Sequence, residues 1–284
     1  KTAYEISLGL VGSEMCIRDR GTSIVYSFGQ RILACDIAGD NVFVGLSNGS
    51  VCRLSLKEGR APLCIKAFDA SSERLRGVAA SRTSETVVLA LGYDYIGRYP
   101  AARIRVLSFS RGVLMERDAS SDPPLVRLFW FRKAGDMLVL QTLDTFCELC
   151  EYTDNKVEVY NISATPPALV LEDRIGMFVG GIDAEGRYLV AVRVLEDEAK
   201  GHEVLVYDLA RGRLAKRFYV ESEPTSVSVL GERALFVFGK KVLAIYEHLR
   251  GRLVRESAVS GLKAASLMSV DGRLFAVILG SREI

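Results

Sequence analysis

Glu203-Val204-Leu205-Val206-Tyr207-Asp208-Leu209-Ala210-Arg211-Gly212 is the stretch on which the fold turns. Val, Leu and Tyr in a run of this length favour a pleated strand, and an aspartate followed closely by glycine ends it in a turn. The arrangement recurs, with glycine eight residues after an apolar anchor: Val51 to Gly59, Ile104 to Gly112 and Leu243 to Gly251. Val157 opens a fifth copy, which carries Thr165-Pro166 in the place of the glycine. Tyr160-Asn161 and Tyr246-Glu247 repeat the aromatic and polar pair of Tyr207-Asp208, while Leu54-Ser55 and Leu107-Ser108 replace it in the other copies.

A second apolar strand precedes each copy, centred on Val44, Val88, Val139, Val190 and Phe236, and another is centred on Val277; successive centres lie 41 to 51 residues apart. Most follow turn pairs such as Gly39-Asp40, Gly135-Asp136 and Gly231-Glu232. Flanking runs such as Ile32 to Ile37 and Leu63 to Phe68 bring each unit to four short strands joined by turns. Such a unit cannot cover both of its faces alone, and radial stacking covers them. A β-sandwich has turns at similar intervals but gives no reason for glycine to return at one offset. The expectation is all-β: a β-propeller of four-stranded antiparallel blades. About five are complete, near 31–68, 75–118, 125–174, 177–220 and 225–259, with a partial unit at 262–284.

In these residues the chain resembles WD40-type propellers and their relatives with YVTN or PQQ-like repeats. Tyr207-Asp208 stands where a WD40 blade carries Trp-Asp, and Val42-Phe43-Val44-Gly45-Leu46-Ser47-Asn48-Gly49 is closer to a PQQ-like repeat. The resemblance spans residues 31–284 as pattern. The chain has no Trp-Asp, and its one Gly-His dipeptide, Gly201-His202, directly precedes the Glu203 to Leu209 stretch instead of heading a blade, so the buried Asp-His network typical of the WD40 family is not expected. It also lacks the tryptophan-rich docking motif of quinone-binding propellers, and no cofactor is implied.

Residues 1–20 resemble translated sequencing-adapter DNA: Leu10 to Arg20 reads as a transposon-end adapter, and Lys1 to Ile6 as a flow-cell primer. A secretory leader would also begin with a basic residue and an apolar run, but Glu5 and Glu14 interrupt the run. Set aside, these residues leave 21–284 as an incomplete propeller. Propellers close by pairing strands from both termini, so truncation at both ends is the expectation.

The chain is 49% hydrophobic, enough for a sizeable core, and no apolar run reaches the roughly 18 residues of a membrane helix. A net charge of +2 implies no strong electrostatic partner, and acids nearby match Arg211, Arg213, Lys216 and Arg217. RNA binding needs a basic stripe with stacked aromatics, and near-neutral charge speaks against it. Beyond residue 20 the cysteines are Cys35, Cys52, Cys64, Cys147 and Cys150. An odd count without regular spacing argues against a disulfide framework and for a reducing, cytoplasmic setting. Scarce Asn and Gln hint at a thermophilic source.

In an antiparallel four-strand blade the tight glycine turns share one end, and the connections from strand two to strand three emerge at the other. Extra length collects at that second end, at 93–103, 143–156 and 195–203. Variable connections on a rigid scaffold are where binding residues lie, so this end is the candidate recognition surface. It offers Tyr93, Tyr95, Tyr99, Phe146 and Tyr152, amphipathic aromatics that either anchor a partner or cover the blade rim. Cys147-Glu148-Leu149-Cys150 has the spacing of half a zinc site or a redox pair, but no second pair accompanies it and the only histidines are His202 and His248. Glu196-Asp197-Glu198 reads as a solvated loop tip, and Trp130 as core. No nucleophile-elbow or phosphate-loop pattern occurs. The expectation is a non-catalytic propeller that docks a protein or peptide. The alternative is a propeller enzyme, a hydrolase or quinone-type dehydrogenase, acting at a central channel.

Overall fold

Every regular element among the described residues is a β-strand, and within each sheet the strands lie in chain order and run antiparallel. The computed structural model describes residues 7–11, 14–19, 22–56, 61–82, 85–93, 102–117, 127–143, 155–175, 178–193, 201–239, 242–259, 262–270 and 273–280. Strands β1 (Ser7–Val11), β2 (Glu14–Asp19) and β3 (Thr22–Ser27) form a three-stranded sheet. Five four-stranded sheets follow. The first holds β4 (Ile32–Ala38), β5 (Asn41–Leu46), β6 (Ser50–Ser55) and β7 (Leu63–Lys66), and the second β8 (Glu73–Ala80), β9 (Thr86–Tyr93), β10 (Ala102–Ser108) and β11 (Gly112–Arg117). The third holds β12 (Arg127–Ala134), β13 (Met137–Leu143), β14 (Asn155–Asn161) and β15 (Ala168–Arg174). The fourth holds β16 (Phe178–Ile182), β17 (Tyr188–Arg193), β18 (His202–Asp208) and β19 (Arg213–Val220), and the fifth β20 (Pro224–Leu230), β21 (Arg233–Phe238), β22 (Val242–Glu247) and β23 (Arg252–Ala258). Strands β24 (Leu262–Val270) and β25 (Arg273–Gly280) form a two-stranded sheet.

The chain divides into two compact units, one of residues 1–127 with 162–167 and one of 128–161 with 168–284. In the first, Phe43, Val51 and Phe68 pack with Leu75, Leu89 and Leu91. In the second, Val190, Val192, Val204 and Val206 of the fourth sheet pack with Val229, Ala234 and Phe236 of the fifth.

The repeat that the sequence displays has a conformational cause. Gly112, Gly212 and Gly251 have φ of 76°, 59° and 66°. At Gly212 a Cβ would also lie 2.5 Å from the Val170 carbonyl oxygen. Only glycine enters that region without penalty, so the turn between strands three and four returns it at one offset. Just beyond the turn, strand four carries a bulge in the second to fifth sheets. The register shifts between Val106 and Leu107, Val159 and Tyr160, Val206 and Tyr207, and Ile245 and Tyr246, leaving Leu114, Val170, Ala215 and Val254 without a directly opposed residue. A bulge in the same place raises the local twist of each outer strand alike.

Polar side chains on the innermost strands reach the innermost strand of the next sheet. Asp36 Oδ2 accepts the Ala80 N–H at 2.8 Å in the first unit, and Ser228 Oγ accepts the Leu267 N–H at 3.1 Å in the second. In the second unit a buried aspartate and a buried histidine hold the same glycine from its two sides, without a direct Asp-His hydrogen bond. Asp183 Oδ1 accepts the Gly231 N–H at 2.9 Å, and the Gly231 carbonyl lies 2.8 Å from His248 Nε2. Asp183 is 1% exposed and His248 fully buried.

That histidine fixes a pH response. A carbonyl can only accept, so Nε2 carries the proton and the buried Nδ1 is left without a hydrogen-bond partner. Burial holds the imidazole below its ordinary value of 6.5, outweighing the opposing pull of the Gly231 carbonyl, Asp183 and Glu232. With the folded-state value lowered, the unfolded chain binds the extra proton first, so this contribution is present above pH 6.5 and declines as pH falls below it. Urea unfolding at pH 7.5 and 5.5 should therefore show a stability loss on acidification that shrinks in His248→Gln. An identical loss in both proteins would assign it to other groups.

Cysteine arithmetic also needs correction. Cys52 on β6 and Cys64 on β7 are direct register partners and form a disulfide. Direct opposition across an antiparallel pair lets the two sulfurs meet, which the count of cysteines cannot reveal. The thiol count therefore no longer argues for a reducing compartment. Cys35 remains free, and burial, with Asp36 beside it, pushes its thiol up and makes it a weak nucleophile.

Candidate functional site

Three consecutive sheets carry long connections between strands two and three: 94–101, 144–154 and 194–201, against 47–49 and 239–241 in the first and fifth sheets. Tyr95, Tyr99, Phe146, Cys147, Cys150 and Tyr152, with Glu196 to Glu198, lie outside the described residues, as do the side chains of Tyr93 and Trp130. Tyr93 is placed by its backbone as the last residue of β9. The feet of the three connections are described, and each is built on charge.

Beneath the first connection, Glu73 on β8 accepts hydrogen bonds from Arg103 Nη1 at 2.7 Å, Arg105 Nη2 at 3.1 Å and the Asp69 N–H at 2.8 Å. Glu116 on β11 pairs with both arginines, and Arg105 Nη1 also donates to the Ala67 carbonyl at 2.6 Å. Two cations and two anions balance, and the Glu73 side chain is only 3% exposed. Beneath the second connection, buried Lys156 lies 3.5 Å from Glu158 and 3.6 Å from Glu172. Tyr160 donates to Glu158 at 3.2 Å. Beneath the third, buried Glu203 pairs with Arg193 at 3.4 Å and Arg217 at 3.1 Å. Arg193 Nε in turn donates to the Ile175 carbonyl at 2.9 Å.

These charges share one place in the repeat. Arg103, Lys156 and Glu203 each stand one residue before the anchors Ile104, Val157 and Val204, whereas the sheets with short connections have Ser50 and Val242 there. Ion pairs of this kind are tied by several hydrogen bonds and need not add stability over an apolar core, but they fix geometry. Sequence reading assigned none of them. The signal was present, as a charge one residue before the anchor in three copies.

Tyr207 links sheets in a different manner. Its hydroxyl donates to Asp173 Oδ2 on β15 at 2.7 Å, and burial together with that bond pushes the phenol well above its ordinary value. The residue at the Trp-Asp position thus ties the fourth sheet to the outer strand of the third.

The opposite end, that of the tight turns, holds a groove of about 590 Å³ in the second unit, bordered by Asp183, Arg187, Leu230, Arg233, Ile245 and Arg255. Its two carboxylates are committed, because Asp183 holds Gly231 and lies 3.3 Å from Arg187 Nε and Glu185 lies 3.1 Å from the same nitrogen, while Arg233 lies 2.7 Å from Glu247. Both histidines are buried, His202 at 5% exposure at the foot of the third connection and His248 in its carbonyl bond. Among the described residues no group of three His, Cys, Asp or Glu is placed to hold a metal ion, and no helix is long and apolar enough to cross a membrane.

No protein-family model matches the sequence, and no curated protein sequence matches it. The fold does have solved counterparts. Sqt1 of Saccharomyces cerevisiae is similar with a TM-score of 0.59, covering 97% of this chain and 78% of that one at 11% identity. A chain of the Mitotic Checkpoint Complex is similar with a TM-score of 0.54, covering 96% of this chain and 80% of that one at 14% identity. With its five four-stranded antiparallel sheets, the chain has the fold of a WD40-like β-propeller.

Proposed function

We propose that this chain is a non-catalytic propeller scaffold that binds a protein or peptide partner through the end of its sheets where the long connections emerge. The observation that carries the reading is the coincidence of connection length with charged feet. Only the second, third and fourth sheets have both, so loop variation rests on fixed geometry, as it does where loops bind. Tyr93, Tyr95, Tyr99, Phe146 and Tyr152 supply aromatics at that end. A similarly folded chain comes from a complex, which supports a scaffold role here. His202 and His248 are both buried, which supports the scaffold reading over the enzyme alternative.

Tyr95→Ala combined with Tyr99→Ala tests the reading. Two interfacial tyrosines together are worth about 2 kcal/mol or more, so recovery of the bound partner should fall at least about tenfold while the melting temperature is unchanged. Undiminished recovery would remove this end from consideration, and turnover of a hydrolase or dehydrogenase substrate by the same preparation would favour the enzyme.

A further inference from the structure

The fourth and fifth sheets repeat one motif where strand three turns into strand four. Tyr207-Asp208-Leu209-Ala210-Arg211-Gly212-Arg213-Leu214 is followed in the next sheet by Tyr246-Glu247-His248-Leu249-Arg250-Gly251-Arg252-Leu253. Each copy sets two arginines astride the glycine of the turn and places a leucine just inside the outermost strand. The third sheet has Ser163-Ala164-Thr165-Pro166-Pro167 in its turn, without a cation.

In this region the carboxylates lie inward and the guanidinium groups outward. The side chains of Glu203, Asp208 and Glu247 are only 6 to 13% exposed, whereas their partners Arg211, Arg217, Arg250 and Arg252 are 57 to 72% exposed. Among the described residues Arg213 and Lys216 have no carboxylate partner, which corrects the match to nearby acids read from the sequence. Strand β19 contains no acid, and on β23 the first is Glu256. The surface turned to solvent is therefore positive. Leu214, Tyr219 and Leu253 are exposed among these cations. The two copies adjoin, since a Cβ at Gly251 would lie 3.0 Å from Phe218 Cβ and the turn of the fifth sheet thus rests on β19. The fourth sheet packs on the third through Leu205 and Tyr207 and on the fifth through Val204 and Val206, so Arg213 and Leu214 are exposed on the rim of a sheet covered on both faces.

We propose that this rim binds an extended acidic peptide, its carboxylates on the arginines of the two turns and its apolar side chains on Leu214 and Leu253. Forked guanidinium groups pair with carboxylates through two parallel hydrogen bonds, and the leucines beside them lose exposed apolar area when a peptide side chain covers them. A nucleic acid would leave both leucines unmatched and, among the described residues of these strands, finds Tyr219 alone as an exposed aromatic for stacking. Bulges at Ala215 and Val254 interrupt both outer edges just past the turns, so side chains hold the peptide and it does not add as a further strand. The motif lies at the tight-turn end, opposite the long connections, and binding here is independent of them.

Fluorescence anisotropy of a labelled peptide alternating glutamate and leucine, titrated with the whole chain, tests this. The peptide should bind. Affinity should fall at least about tenfold when glutamine replaces its glutamates, when salt rises from about 0.05 to 0.5 M, or when Arg213→Glu is combined with Arg250→Gln. Arg213 has no carboxylate to lose and Arg250 is 72% exposed, so the melting temperature of that variant should not change. Leu214→Ser with Leu253→Ser should weaken binding while leaving its salt dependence as it was. Arg76→Glu reverses an exposed charge on β8, outside the motif, and should change affinity less than about twofold. No binding, equal binding of the glutamine peptide, an equal loss in Arg76→Glu, or tighter binding of single-stranded RNA or of phosphatidylserine vesicles would overturn the proposal.

Discussion

Replacing Glu73 with alanine should lower the unfolding free energy by about 3–5 kcal/mol, because the cost of breaking a buried ion pair lies mainly in the charge left behind. Glu73 accepts from two guanidinium groups and one backbone N–H, and only 3% of its side chain meets water. Without it, Arg103 and Arg105, 19% and 11% exposed, lose the carboxylate they share on β8, and the Asp69 N–H loses its acceptor. Glu73→Gln keeps an acceptor near both arginines and should lose less. Replacing Glu73, Arg103 and Arg105 together with apolar residues of similar volume should regain much of the loss, since nothing charged then stays buried. Urea midpoints at constant slope give these differences. A loss below about 1 kcal/mol for the alanine variant would mean that the pair behaves as a solvent-screened surface contact.

The parts of the fold legible in the sequence were those that one residue type enforces. Gly112, Gly212 and Gly251 recur because a left-handed turn admits nothing else as easily, and that offset distinguished a stack of equivalent sheets from a sandwich. What stayed hidden depends on pairing between strands distant in the chain. Cys52 meets Cys64 because of the β6–β7 register, and Asp183 and His248 hold one residue because Gly231 offers a donor and an acceptor on its two sides. The outer-strand bulges at Leu114, Val170, Ala215 and Val254 leave no composition signal, since an extra residue in a strand looks like any other. For the candidate site, the length of the connections could be read directly. Their charged feet show in the sequence only as a charge one residue before each anchor; that Lys156 and Glu203 are buried and Arg103 half-buried appears once strand three is paired on both sides. Residues 94–101 and 144–154 keep their proposed role on sequence alone.

Phe236→Ala should cost about 3–5 kcal/mol, comparable to the loss of Glu73 but for a different physical reason. Phe236 is fully buried where the fourth and fifth sheets pack, at 6.5 Å from the Phe218 ring and 5.2 Å from the Tyr246 ring in edge-on geometry, and at 6.2 Å from Phe238 in a stack. Truncation removes the apolar area and the three aromatic contacts together. The buried neighbours in the same cluster include Val190 and Val206, on strands held by ladder hydrogen bonds on both sides, and Val229, on a strand paired along one side, so the space closes only in part. Phe236→Leu keeps most of the volume and should cost less than half as much, and Phe238→Leu, at a half-buried position, less still. Because the missing volume lies between two sheets, the alanine variant should lose protection from hydrogen exchange in β17, β18, β21 and β22 together. Loss confined to β21 would show that the sheets are held by their clasping hydrogen bonds rather than by this packing, and would transfer the larger effect to Asp183, whose carboxylate holds Gly231 across the same boundary.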